Sequence, residues 1–207
     1  MPHTLRLLAT TALLFLSVPA FADDPAEKSA ADDSLGIMPA ELIDAPQPIP
    51  VHLRELFDRM EDANRCSQDV FRKLSAQQMN HRPANGSHTP RWNTEHMAGR
   101  QLQFFSQIYH AIDERIPVIN INPRQMPDDY VAAHPEWDGK AEARMMQRVD
   151  DFCRRYAYLL KDVKLDQRAP GSRWPSLRAL LMQMERHYDE HTANVKKKFE
   201  LPDWPAK

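Results

Sequence analysis

Residues 177–199 read LRALLMQMERHYDEHTANVKKKF, and this stretch carries the pattern from which the fold can be predicted. Apolar residues recur there at intervals of three or four positions, which is the spacing of one face of an α-helix. They are Leu177, Leu180, Leu181, Met184, Tyr188, Val195 and Phe199. Pro175 suits the first turn of such a helix, so the predicted helix runs from about residue 175 to residue 199.

The same spacing of apolar residues occurs in three earlier segments of the chain. They span residues 53–74, 93–113 and 140–161, and Asn93 or Thr94 can cap the second of them. Strand-like alternation is limited to the short stretch 118–121. Four amphipathic helices of about 20 residues each predict an all-α four-helix bundle.

The connections between the predicted helices are uneven in length. Residues 75–92 and 114–139 form two long segments, which in a compact domain are usually functional or disordered. The second segment contains Asp128, Tyr130, His134 and Trp137. We therefore expect long loops that cap one end of the bundle.

The N-terminus has the features of an export signal. Arg6 precedes an apolar run over residues 7–21, and Ala20-Phe21-Ala22 is a small-x-small cleavage site. The run is shorter than the roughly 20 apolar residues that cross a bilayer. We expect residues 1–22 to be a signal peptide, so that the mature protein is periplasmic or secreted and has no stable membrane insertion after cleavage.

The next segment, residues 23–50, is acidic at first and then rich in proline, a composition that predicts a flexible, disordered linker. The folded domain then spans residues 51–200 and is followed by a C-terminal tail over residues 201–207. Export would also permit a disulfide between Cys66 and Cys153. The sequence leaves open whether these cysteines form a bridge between two helices or remain two buried thiols.

Composition excludes several classes of function. Lys and Arg number 27 against 29 Asp and Glu, a net charge of −2, so no excess of positive charge is present to bind nucleic acid. The chain has 5 Gly and no glycine-rich phosphate-binding motif, which argues against a nucleotide site. Two Cys cannot form a four-cysteine metal site. The remaining candidates for chemistry are the 9 His.

Two of these histidines, His187 and His191, are four positions apart in the last predicted helix. This spacing places both rings on one face, one turn apart, as two ligands of one metal ion require. They also fall on the apolar face, where burying two imidazoles is costly unless each finds a partner. A divalent metal satisfies both rings, whereas the alternative is a pair of histidines that are solvated or hydrogen-bonded singly.

A third ligand could come from His96, in the first turn of the second predicted helix. On a helical wheel His96 lies nearly opposite the apolar face, beside Arg100 and Gln103. A side chain in the first turn can nevertheless point along a groove or towards a loop. The histidines of the two long loops are possible substitutes for it, namely His81, His88 and His134.

The chain resembles the DinB-like family of four-helix-bundle metalloenzymes over residues 51–200. The resemblance rests on one His at the start of the second helix and a His-x-x-x-His pair on the last. The local strings are LSAQQM at 74–79, Arg82-Pro83, WNTEH at 92–96 and MERHYDEH at 184–191.

The resemblance implies that His96, His187 and His191 hold one divalent ion, with the remaining coordination positions open to water or substrate. Three neutral nitrogen ligands suit Zn, Ni or Fe. Characterised relatives are thiol S-transferases and a thiol-dependent isomerase, in which the metal lowers the pKa of a small thiol. Because such thiols are mainly cytoplasmic, an exported member is expected to use water or another nucleophile. We therefore expect a metal-dependent transferase or hydrolase with a small-molecule substrate, and a homodimer is compatible with the sequence.

Two other interpretations remain. Residues 187–191 also match the HxxEH motif of inverted zinc peptidases, with Glu190 as general base, but that family needs a downstream carboxylate ligand and contains sheets. The second interpretation is a non-catalytic bundle that binds a metal or a partner protein. A fourth protein ligand such as His134 would favour this interpretation, because it would close the metal site. The sequence offers two catalytic candidates. Glu190 could act as the general base, and Arg100 could hold an anionic group of a substrate.

Overall fold

The computed structural model describes residues 47–123 and 130–206. In these ranges the chain forms four long helices and one short one, and it contains no β-strand. The helices are α1 (Arg54–Phe71), α2 (Ala76–Asn80), α3 (Pro90–Ile112), α4 (Gly139–Tyr156) and α5 (Leu177–Lys196). The prediction of an all-α bundle is confirmed. Among the described residues, no helix combines the length and the apolar character that a membrane span requires.

Several predictions about the N-terminal part lie outside the described residues. They concern the signal peptide over residues 1–22 and the linker up to residue 46, and Asp128 also lies outside. Only residues 47–50 of the predicted linker are described, and Ile49 among them is buried. A 3-10 turn over Val51–Leu53 then leads into α1.

Helices α3 and α4 run in the same direction, as their side-chain contacts show. Near their beginnings Arg91 of α3 pairs with Glu142 of α4. Two turns or more further on, Gln101 of α3 donates to Asp150 of α4 at 3.1 Å. The connection between them must therefore return along the bundle, which explains why it is long.

Helices α1 and α5 run parallel to each other and antiparallel to α3. Arg59 contacts Glu185, and towards the other end Thr192 donates to Ser67 at 2.7 Å. The last turns of α5 consequently lie against the first turns of α3, where Asn93 contacts His191. The predicted histidine ligands thus lie at the same end of the bundle.

The segment 75–92, predicted to be a loop, contains α2 and the start of α3. Ser75 and Gln78 form a capping box, in which each side chain bonds the other residue's backbone N–H. Helix α3 begins at Pro90, and the Thr89 hydroxyl accepts from the backbone N–H of Trp92 at 3.0 Å. The expected cap at Asn93 or Thr94 was therefore wrong, because a Thr-Pro pair starts the helix one turn earlier.

The other helix boundaries differ from the prediction by a few residues. Helix α1 ends at Phe71 instead of residue 74, and α5 begins after Ser176, whose hydroxyl caps it, so Pro175 precedes the helix. The ends predicted at residues 161 and 199 correspond to 3-10 turns, Ala157–Leu160 and Lys197–Glu200, that extend α4 and α5. The stretch 118–121 is not a strand, and Ile119 bonds the Ser106 hydroxyl of α3 through its backbone.

Cys66 and Cys153 are both free thiols. Cys66 is exposed on α1, whereas Cys153 is fully buried in α4. The two side chains therefore occupy opposite environments, and the disulfide considered above does not form in this fold.

The end of the bundle at which α3 begins is held by a buried guanidinium group. Arg91 is 0% exposed and pairs with Glu142, which also accepts from the Thr94 hydroxyl at 3.2 Å. Its other nitrogens donate to the Asn80 side chain of α2 and to the Trp137 carbonyl of the returning connection. One side chain thus joins α2, α3, α4 and the loop over this end, as the predicted cap requires.

Replacing Arg91 with Ala should lower the free energy of unfolding by about 3 kcal/mol or more, because Glu142 would keep a buried charge without its partner. Urea denaturation followed by circular dichroism measures this change. The matched control is Arg65→Ala, whose ion pair with Asp62 is exposed and should change the stability by about 0.5 kcal/mol or less. Equal effects of the two substitutions would contradict the role given to Arg91.

Candidate metal centre

Three histidine side chains from two helices converge at this end of the bundle. His96 comes from α3, and His187 and His191 come from α5. One nitrogen of each ring lies within 4.8 Å of a nitrogen of both others. The ring centroids are 4.9 Å apart for His96 and His187, 5.0 Å for His96 and His191, and 4.5 Å for His187 and His191. The structure therefore brings together all three predicted ligands.

The α5 pair is oriented by the residue between them. Tyr188 is fully buried, and its hydroxyl donates to Gln101 of α3 at 2.5 Å while accepting from Asn64 of α1 at 3.2 Å. These bonds fix the rotation of α5 about its axis. His187 and His191, on either side of Tyr188 along the chain, are thereby turned towards α3.

His96 is buried, with 6% of its surface exposed, although the helical wheel placed it away from the apolar face. The wheel position is misleading because it assumes a single buried face, whereas the first turns of α3 are buried on several sides. His96 itself lies between the two histidines of α5 and Asn122 of the returning connection, while Arg91 and Thr94 of the same turns contact Glu142 of α4. Polar residues such as Gln101 and Thr94 are buried in the same turns, so polarity does not mark an exposed face here.

Two asparagine side chains hold the outer nitrogens of two ligands. The Oδ1 of Asn122 lies 3.0 Å from Nδ1 of His96, and the Oδ1 of Asn93 lies 2.7 Å from Nδ1 of His191. An amide oxygen only accepts, so each Nδ1 carries the proton and each Nε2 keeps its lone pair free for a metal. Gly99 permits one of these contacts, because a Cβ there would lie 2.7 Å from the Cα of Asn122.

The third ligand provides a separate test of whether a metal fits. His187 Nδ1 is buried and has no hydrogen-bond partner among the described residues. A buried nitrogen without a partner costs free energy, and an imidazole shared with a metal ion is one way to recover it. Three neutral nitrogens within 4.8 Å of one another could hold a metal ion, and nitrogen ligands of this kind suit a transition metal.

Burial keeps the three imidazoles neutral. It lowers the pKa of His96 to about 3, of His187 to about 2 and of His191 to about 4. The neighbouring His191 ring is the second cause for His96 and for His187, and Arg100 lowers the pKa of both further. At neutral pH no proton therefore has to be displaced before a metal binds.

The histidines considered as substitutes lie elsewhere. His81 contacts the Trp204 ring, and His134 stacks on Trp137 with a centroid separation of 3.8 Å. His88 comes nearer to the site, since it stacks on one face of Trp92, whose other face stacks on His96. None of the three belongs to the histidine cluster.

The two catalytic candidates have different positions. Glu190 is an exposed residue of α5, with 60% of its side chain accessible, and lies 3.6 Å from Arg186. It does not face the histidines, which disagrees with the zinc-peptidase interpretation. Arg100 is half-buried one turn after His96, and its charge acts on His96 and His187.

Sequence reasoning missed the roles of Asn93 and Asn122, which orient two of the ligands, and the stacking of Trp92 on one of these two, His96. Asn93 could have been found, because it lies three residues before His96, on the same face of α3. Nothing in the sequence pairs Asn122 with His96, because the contact depends on the path of the returning connection.

The fold and the site together define a four-helix bundle with three histidines at one end, arranged as for a single metal ion. A family model described as the DinB superfamily matches residues 59–195. The chain belongs to the DinB superfamily. Comparison with curated proteins gave no match, and comparison with solved structures gave none either.

We predict that the purified protein retains about one equivalent of a divalent transition metal. Replacing both His187 and His191 with Ala should abolish this retention, because one imidazole alone does not hold the ion. Elemental analysis measures the metal, and circular dichroism checks that the helical content is unchanged. Retention of the metal by the folded double variant would refute the site.

Replacing Asn93 with Ala should weaken zinc binding by about 10-fold to 100-fold, because His191 would lose the acceptor that fixes its tautomer and orientation. A competition titration with a zinc chelator measures the affinity. Asn85→Ala is the matched control, since Asn85 is exposed and bonds only the nearby Ser87 backbone in the contacts described. An unchanged affinity in Asn93→Ala would contradict the orienting role.

Proposed function

We propose that this protein is an exported, metal-dependent enzyme of the transferase or hydrolase type. His96, His187 and His191 would hold one Zn, Ni or Fe ion. When bound, such an ion supplies Lewis-acid activation, which lowers the pKa of a thiol or a water molecule so that it can attack a small electrophile.

One observation carries the proposal. The cluster contains three protein ligands, and no fourth His, Cys, Asp or Glu joins it within the described ranges. A site with three protein ligands and an open position is typical of catalytic zinc, whereas structural zinc sites are closed by four protein ligands. His134, which would have closed the site, is half exposed and stacked on Trp137.

The surrounding residues support the same role. Asn93 and Asn122 are neutral, so they orient the imidazoles without adding negative charge to the site. Arg100 adds a positive charge nearby. A divalent ion in these surroundings keeps its full charge, which favours a negatively charged nucleophile or substrate group beside it.

A non-catalytic metal-binding role is the second candidate. It is favoured by the burial of the ligands, since His96 is 6% and His187 is 9% exposed. A metal held there for structural or sensory reasons would not need access for a substrate. The two candidates differ in whether a small molecule can reach the ion.

Cobalt substitution distinguishes them. We expect the visible spectrum of the cobalt-loaded protein to change when 2-mercaptoethanol is added, because a thiolate can enter an open coordination position. The His187→Ala/His191→Ala protein under the same conditions should give no such change. If the spectrum of the cobalt-loaded protein does not change when the thiol is added, the closed, non-catalytic site is favoured.

Turnover can be tested with two simple electrophiles. An activated aryl ester reports attack by water, and an electrophilic aryl halide with a small thiol reports thiol transfer. We expect a rate above background with at least one of them, lost on metal removal and restored by adding back the metal. If the cobalt form binds the thiol but neither substrate reacts above background, these two electrophile classes are excluded as substrates.

A further inference from the structure

Three aromatic rings form a continuous stack that ends at one of the three histidines. The indole of Trp92 lies nearly parallel to the His96 imidazole, with ring centroids 4.5 Å apart and an angle of 13° between the planes. On its other face the indole stacks on His88, at 3.7 Å and 15°. The same indole is 5.9 Å from the His191 ring. Trp92 therefore covers one ligand from α3 and lies beside another from α5.

The stack follows from the helical register at the start of α3. Trp92 and His96 are four positions apart, so their side chains lie one turn apart on the same face. Helix α3 begins at Pro90 with Thr89 as its cap, so His88 precedes the helix and lies against the face of Trp92 that points away from His96. Because both faces of the indole are covered, the ring is restricted to one orientation.

The stack supplies a restraint on His96 that a hydrogen bond does not. Asn122 accepts from Nδ1 of His96, which fixes the tautomer and leaves Nε2 free. A single hydrogen bond still allows the imidazole to pivot about it. An aromatic plane held against the imidazole resists this pivoting, because a tilted ring would collide with the indole. Trp92 and Asn122 together fix the direction in which Nε2 points.

The stack also favours the metal-bound form of His96. An imidazole becomes partly positive when its nitrogen shares a lone pair with a divalent ion. Among aromatic side chains, the indole face attracts a positive group most strongly, when that group lies within about 6 Å of the ring centroid. Little water weakens this contact, since Trp92 is 4% exposed and His96 is 6% exposed. The attraction is therefore stronger after a metal has bound than before, which raises the metal affinity.

His88, on the far face of the indole, does not oppose this effect. Burial lowers the pKa of His88, and the charges of Lys198 and Arg82 lower it further. His88 is therefore neutral at neutral pH, and the ring stacked on the far face of Trp92 carries no charge that would compete for the same π-electrons.

We propose that Trp92 is a positioning residue of the metal site, which fixes the plane of the His96 ring and strengthens metal binding through its π-face. The inference rests on the proposed function in that it requires a metal on His96. It adds that the metal affinity depends on a side chain that is not a ligand. It also predicts a signal, because a charge that develops on a ring stacked against an indole changes the fluorescence of that indole.

The zinc affinity of full-length variants tests the inference. In a competition titration with a zinc chelator, we expect Trp92→Leu to bind zinc about tenfold more weakly, because leucine has no π-face. Trp92→Phe should recover most of this loss, since a phenyl ring can still stack on His96. Trp174→Leu is the matched control and should bind zinc as the wild type does. Trp174 is half-buried against Phe104 and precedes α5, at the opposite end of that helix from His191.

Tryptophan fluorescence gives a readout that a loss of packing alone would not produce. We expect zinc to change the emission of the wild-type protein and of Trp174→Leu. In Trp92→Phe, zinc at a saturating concentration should leave the emission unchanged. This comparison uses the wild type and a conservative variant, so it does not depend on whether Trp92→Leu folds.

The outcomes separate this inference from the proposed function. The role of Trp92 would be overturned, with the metal site left in place, by any of four results. They are an unchanged zinc affinity in Trp92→Leu, an equal loss in Trp174→Leu, no recovery in Trp92→Phe, or an emission change that persists in Trp92→Phe. A wild-type protein that binds no zinc would refute the metal site and, with it, the role of Trp92.

Discussion

The site depends on the contact between the first turns of α3 and the last turns of α5, because neither helix alone carries three ligands. Two hydrogen bonds hold these helices in register. Tyr188 of α5 donates to Gln101 of α3, and Asn93 of α3 bonds His191 of α5. The first bond is buried and the second is partly buried. A buried polar group without a partner is costly, so a slip of one helix along the other is unfavourable. The geometry of the three histidines follows from this register.

The same end of the bundle is closed by segments that are not part of the four long helices. Arg91 joins α2, α4 and the returning connection, and Glu95 holds Tyr130 of that connection through its carboxylate. This closure buries His96 and His187, lowers the pKa of the imidazoles and forms the aromatic wall at Trp92. The histidine site in this bundle is therefore partly enclosed, with neutral nitrogen ligands and the positive charge of Arg100 nearby. These are the properties on which the proposed activity rests.

The sequence predicted the features that depend on local spacing. The four long helices and the His187–His191 pair follow from a 3.6-residue period, and the family match agrees with them. Features set by long-range packing were not predictable in this way. The wheel position of His96 was misleading because it assumes one buried face, whereas loops enclose the start of α3. Likewise the cap of α3 was misplaced at Asn93, a residue whose actual partner is 98 positions away in α5.

X-ray absorption at the metal edge of the zinc-loaded protein tests the central claim most directly, because it measures the ligand shell itself. The account predicts three imidazole nitrogens at about 2.0–2.1 Å together with at least one oxygen from solvent. A shell of oxygens alone, or one closed by four protein nitrogen or sulfur ligands, would contradict an open three-histidine site in this bundle.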